Sequence, residues 1–90
     1  MHHMRNRSDL DIMTTILKCA DTKFGTQKTK IMFGAFLSTT QMKDYLTRLE
    51  KDELISYDKI GRLYKTTNKG ECLIGLYKKM NELMPKIEIS

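Results

Sequence analysis

Residues 36–54, FLSTTQMKDYLTRLEKDEL, decide how the rest of the chain is read. Leu37 precedes Ser38, a good helix N-cap, and Gln41 follows three positions later. At that spacing each side chain satisfies the other's free backbone N–H. Apolar residues then recur at Met42, Tyr45, Leu46 and Leu49, one stripe of a 3.6-residue period. The stretch therefore predicts a capped amphipathic helix. Its opposite face carries Thr40, Asp44, Thr47 and Lys51, with Lys43 and Arg48 on the flanks and Thr39 and Gln41 in the first turn. Such a face either enters a DNA groove or is simply solvated, with i,i+4 pairs such as Asp44–Arg48.

Upstream, Ser8 and Asp11 make a second S-x-x-D start, and Asp9 and Asp11 suit the positive end of a helix dipole. Leu10, Met13, Ile16, Leu17 and Ala20 share one face, flanked by Ile12 and Cys19. This helix is expected to end near Ala20, with Asp21–Gly25 as a connector. A short second helix fits Gln27 to about Gly34, with Thr26 as N-cap and Gly34 as its end. Ile31, Met32 and Ala35 are expected to turn inward, and Lys28 and Lys30 outward. The few residues from Gly34 to Ser38 make this pair a helix-turn-helix.

Downstream, two β-prone runs, LISYD and RLYKTT, flank Lys59-Ile60-Gly61, with Gly61 expected to supply a positive φ. They form a ribbon whose tip carries Lys59 and Arg62. Thr67 then caps a last helix, from about Asn68 until Pro85 stops it. Leu73, Leu76, Tyr77, Met80, Leu83 and Met84 form its apolar face, and four of them keep the spacing of a short heptad seam.

The 90 residues suffice for one small core. Residues 1–7 read as an N-terminal tail, 8–84 as the folded domain with its C-terminal helix over about 68–84, and 85–90 as a short tail. Sixteen Lys and Arg against eleven Asp and Glu give a net charge of +5, which favours polyanion partners. No run approaches a membrane span, and the start lacks the apolar region of a signal peptide. Cys19 and Cys72 match no zinc spacing and read as small buried residues of a reducing cytosol, with a disulfide as the alternative. His2 and His3 are too few for a metal site. There is no glycine-rich phosphate loop and no acid–base constellation, so the chain reads as non-enzymatic, without cofactor, metal or evident small-molecule ligand.

Helix, helix, helix, hairpin, helix is the order of a winged helix-turn-helix, α-α-α-β-β-α, mainly α with a small β-hairpin. The segments KTKIMFGAFLSTTQMKDYLTRLEKDELI and YKTTNKGECLIGLYKKM resemble an archaeal family of small winged-helix regulators, which includes a dimeric chromatin-associated protein of Sulfolobus. The likeness rests on Lys30, Ile31, Met32 and Phe33, on Leu37 and Ser38, on Tyr45 and Leu49, and on Tyr64, Thr67, Lys69 and Gly70. It spans about residues 10–84. It implies binding of double-stranded DNA and homodimers paired through the last helix. That helix is short here, so the long coiled coil of the Sulfolobus protein does not carry over.

In this frame Ser38, Thr39, Thr40, Gln41, Lys43, Asp44 and Thr47 form the recognition helix's contact surface. Lys28, Lys30, Lys59, Arg62, Asn68 and Lys69 would hold phosphates, which positions a domain without reading sequence. Arg5 and Arg7 make a basic arm or a plain tail. The stripe of the last helix either packs on the first helix or pairs with a second copy; its width favours the homodimer. The leading function is a nucleoid-associated, cytoplasmic transcription regulator or chromatin factor. A dimerising protein adaptor is the alternative, supported by Asp44 and the acidic run Glu50, Asp52, Glu53. A single-strand binder lacks the expected row of aromatic residues.

Overall fold

A computed structural model of the protein describes residues 7–83. It contains α1 (Asp9–Ala20), α2 (Lys28–Ala35), α3 (Thr39–Lys51), β1 (Ile55–Asp58), β2 (Leu63–Thr66) and α4 (Asn68–Leu83). Two of the helix starts are the capping boxes expected from sequence. Ser8 Oγ accepts from Asp11 N and Ser38 Oγ from Gln41 N, and in each box the third-position side chain accepts from the cap's own N–H. Thr67 caps α4, its Oγ accepting from the N–H of Gly70 at 3.0 Å.

The core is built where three helices meet. Ile16, Leu17 and Ala20 of α1, Ile31 and Ala35 of α2, and Met42 and Leu49 of α3 are entirely buried. Burying one such large side chain contributes about 1.5–3 kcal/mol before entropy is charged against it. Leu37 and Leu54 in the connections and Ile55 at the start of β1 close the core. Thr14 is buried as well, its hydroxyl spent on the carbonyls of Leu10 and Asp11 within α1.

The end of α1 explains how the hairpin is seated. A helix leaves its last four carbonyls without helical partners. All four are answered here. Thr66 Oγ donates to Leu17 O at 2.6 Å and Thr26 Oγ to Cys19 O at 2.8 Å, while Asp21 N and Thr22 N reach Lys18 O and Ala20 O. Thr66 is buried in the process, which ties the base of the hairpin to the first helix.

The hairpin is antiparallel, pairing Ile55 with Thr66 and Tyr57 with Tyr64, whose rings lie 4.6 Å apart. A third, minimal edge joins it. Thr26 and Tyr64 exchange both backbone hydrogen bonds, at 2.8 and 2.9 Å. Gly25 makes this approach feasible: its φ is +94°, and a Cβ would stand 3.0 Å from that of Leu63. Lys65 fastens the same connector by donating to the carbonyls of Thr22 and Lys23.

Three local expectations need correction. Thr26 is not the cap of α2, because its hydroxyl and backbone are drawn to α1 and β2; Gln27 holds that position and makes no side-chain cap. Gly34 lies inside the last turn of α2, and the left-handed residue that ends the helix is Phe36, at φ 58°. The N–H groups of Phe36 and Leu37 bond to Phe33 O and Met32 O, a Schellman closure made with a side chain that costs about 1–2 kcal/mol there. In the hairpin, the positive φ falls on Arg62 and not on Gly61. The loop is four residues long and is held by Asp58, which accepts from Ile60 N through Oδ1 and from Arg62 N through its backbone oxygen.

Candidate nucleic-acid interface

The α3 stripe of Met42, Tyr45, Leu46 and Leu49 is buried as expected, and this fixes the helix's rotation. Thr40, Lys43, Asp44, Thr47 and Lys51 are consequently all exposed on its other side. Not every group expected on this surface is free to act. Ser38 Oγ and Gln41 Oε1 are engaged in the capping box, which leaves the Gln41 amide NH₂. Thr47 donates its hydroxyl proton to Lys43 O at 2.9 Å, so it retains only acceptor capacity and a methyl. Thr39 leans on Met32 Sδ at 3.9 Å.

The expected Asp44–Arg48 pair does not form. Arg48 turns instead to Asp9 of α1, 3.3 Å away, and lies over the Tyr45 ring at 5.2 Å. Asp9 also accepts from the Tyr45 hydroxyl at 2.6 Å. The Tyr45 hydroxyl, and then Arg48, hold the Asp9 carboxyl below its usual range, and the same hydrogen bond pushes the Tyr45 phenol up. This α1–α3 clasp joins residues 39 apart, and local spacing gave no sign of it.

The other cations divide into two sets. Lys28 and Lys30 on α2 and Lys59 and Arg62 at the hairpin tip are exposed. Lys69 is engaged within the fold: its ammonium donates to Asp52 O at 2.9 Å, where it serves the C-terminal end of α3. Asn68 beside it is exposed and opens α4 at the base of the hairpin, not its tip. Four-residue strands separate the two ends by about 13 Å at roughly 3.3 Å per residue. Arg7 donates to Ala35 O at 2.7 Å, while Arg5 falls outside the described residues.

The last helix splits the apolar face expected of it. Leu73 and Tyr77 are half-buried, and Leu73 packs on the core together with Ile74, which the heptad reading passed over. Leu76, Met80 and Leu83 face solvent at 65, 45 and 75% exposure, one continuous row at i, i+4 and i+7. Met84 lies outside the described residues.

A cavity of about 530 Å³ opens between the α1–α2 connector and β2, lined by Cys19, Phe24, Gln27, Lys30 and Leu63 among others. Burial pushes the Cys19 thiol up, away from the reactive thiolate. Cys19 is only half-buried and Cys72 is exposed, contrary to the expectation that both cysteines are buried. Among the described residues no three His, Cys, Asp or Glu gather as metal ligands, and no helix is long and apolar enough to cross a membrane.

No curated protein matches the chain. A family description does: winged helix-turn-helix, matched over residues 6–85, nearly the whole chain. The winged helix-turn-helix is typically a DNA-binding fold rather than a catalytic one. With α2 and α3 as its helix-turn-helix and the β1–β2 hairpin as its wing, the chain belongs to the winged helix-turn-helix family.

Proposed function

We propose that the protein binds double-stranded DNA as a homodimer and acts as a transcription regulator or a chromatin-associated factor of the nucleoid. One observation carries the reading. The buried stripe of α3 turns Thr40, Lys43, Asp44, Thr47 and Lys51 outward together, in a fold whose wing presents Lys59 and Arg62 at an exposed tip. Thr, Gln and Lys groups suit the major groove, while Lys28, Lys30, Lys59 and Arg62 supply phosphate contacts. Lys69 contributes less, being held by Asp52. The likeness to small archaeal winged-helix regulators supports the same reading. Leu76, Met80 and Leu83 support the dimer, since a second copy of α4 would cover the row they form.

A mobility shift on mixed duplexes across a salt series tests this. Log K should fall by about 0.9 per phosphate contacted for each tenfold rise in salt. The triple variant Lys43→Ala, Lys59→Ala, Arg62→Ala should lose binding. Unchanged affinity in that variant sinks the proposed face. Leu76→Glu with Leu83→Glu should convert a dimer to a monomer in sedimentation.

A second reading, a protein-interaction adaptor, is favoured by Phe33 and Phe36, 72 and 73% exposed at the α2–α3 corner. A stable dimer that shifts no duplex at low salt would select it.

A further inference from the structure

We propose that Asp44 reads a cytosine, accepting a hydrogen bond from its N4 amino group in the major groove, so that binding is sequence-selective. This rests on the DNA-binding reading and concerns the same face.

Asp44 is exposed in the centre of the outward row Thr40, Asp44, Thr47, Lys51, on a helix whose rotation four buried side chains fix. Its natural neutralising partner is Arg48, one turn on. That arginine is withdrawn by two contacts, the ion pair with Asp9 and the face of Tyr45, and the Tyr45–Asp9 hydrogen bond joins those two neighbours to each other. Among the described residues nothing donates a hydrogen bond to Asp44 and no cation pairs with it. The fold thus spends its nearest arginine elsewhere and leaves a bare carboxylate on the surface meant for a polyanion.

A domain that only coats DNA gains nothing from a negative charge there, because every phosphate contact would be stronger without it. The charge is useful only where the ligand supplies a donor. On the floor of the major groove the donors are the amino groups of cytosine and adenine. Adenine places the N7 acceptor beside its amino group, which repels a carboxylate, whereas cytosine offers the amino group alone. The neighbours fit this use. Thr40 and Thr47 are short enough to let an aspartate approach the bases, and Thr47 has no proton left to give, so the centre of the face is rich in acceptors. Lys43 and Lys51 are long and exposed, and can reach the flanking phosphates from the same helix.

The test is selection of bound sequences from a randomised duplex pool with the full chain, followed by anisotropy titrations on the enriched site. The selected sites should share a C·G pair, and replacing it with T·A should weaken binding between about 5- and 150-fold. Asp44→Ala should lose that discrimination while binding unrelated duplexes more tightly. Asp44→Asn should shift the preference at that position to adenine, which an amide meets in two hydrogen bonds. Equal tightening of all duplexes by Asp44→Ala, with their ranking unchanged, overturns the inference and leaves the DNA-binding reading intact. A wild-type chain that shifts no duplex at low salt overturns both. Asp44 makes no hydrogen bond in the described structure, so the variants should melt like the parent in circular dichroism, and that melt separates misfolding from altered reading.

Discussion

The third and fourth helices carry the same kind of signal and use it differently. Each has an apolar stripe at helical spacing. In α3 the stripe vanishes into the domain, with Met42 and Leu49 fully buried and Leu46 at 3% exposure. In α4 only Gly70 is buried, and Leu76 and Leu83 stand 65 and 75% exposed. A stripe therefore tells which side of a helix avoids water, but not which surface covers that side. For α3 the cover lies in the same chain; for α4 the outer row has none among the described residues, and the proposed second copy would supply it.

The largest effect that would break this contrast comes from shortening one residue in each stripe. Leu49→Ala removes a buried side chain from the centre of the core and should cost about 2–5 kcal/mol in urea denaturation. Leu76→Ala should leave the stability of a dilute monomer almost unchanged and affect only the concentration dependence of the transition. Equal losses at every concentration would show that the outer row of α4 belongs to the domain core after all.

That contrast also marks where sequence reasoning worked. Element order, both serine capping boxes and the α3 stripe were readable, because each depends on residues within one or two turns of one another. What was missed depends on distant chain. Thr26 reads as a cap until Cys19 O and the edge of β2 recruit it. Arg48 reads as the partner of Asp44 until Asp9 arrives from a segment 39 residues away. Phe36 gave no signal at all, since a left-handed helix end calls for glycine, and Gly34 stood two residues too early. The site inherits these misses. Lys69, Ser38 and the Gln41 side-chain oxygen have the right chemistry for DNA, but the fold already engages them.

Two glycines sharpen the comparison within α4 itself. The first turn of this helix presses so closely on the chain leaving α3 that a Cβ on Gly70 would stand 2.2 Å from Leu54 O and 2.6 Å from Thr66 Cγ2. A backbone oxygen cannot step aside as a flexible side chain does. Gly70→Ala should therefore cost about 1–3 kcal/mol, as overpacking does. Nothing lies within 4 Å of a Cβ at Gly75, one and a half turns further on. Gly75→Ala should stabilise the protein by about 0.5–1 kcal/mol through helix propensity alone. Opposite signs in thermal melts would show that α4 is bound to the domain at its first turn and free along its outer face beyond it.

The smallest effect concerns the clasp that holds α3 to α1 and has no counterpart in α4. The Tyr45 hydroxyl first, and Arg48 second, keep the Asp9 carboxyl below its usual range. A carboxyl lowered in the folded state contributes stability that is complete above its unfolded pKa, near 3.9, and is lost as pH falls through the folded value. At the alkaline end the raised Tyr45 phenol works the other way: its contribution is complete below the unfolded value, near 10, and is lost as pH climbs through the folded one. Tyr45→Phe removes the larger of the two contacts on Asp9 while keeping the ring in the core and under Arg48. The melting temperature of this variant should fall less steeply between pH 5 and pH 2 than that of the parent. An identical acid slope would show that Arg48 alone sustains the carboxylate. Arg48 would then owe its position to charge rather than to the tyrosine, and at low pH, with Asp9 protonated, it would be free to swing back toward Asp44.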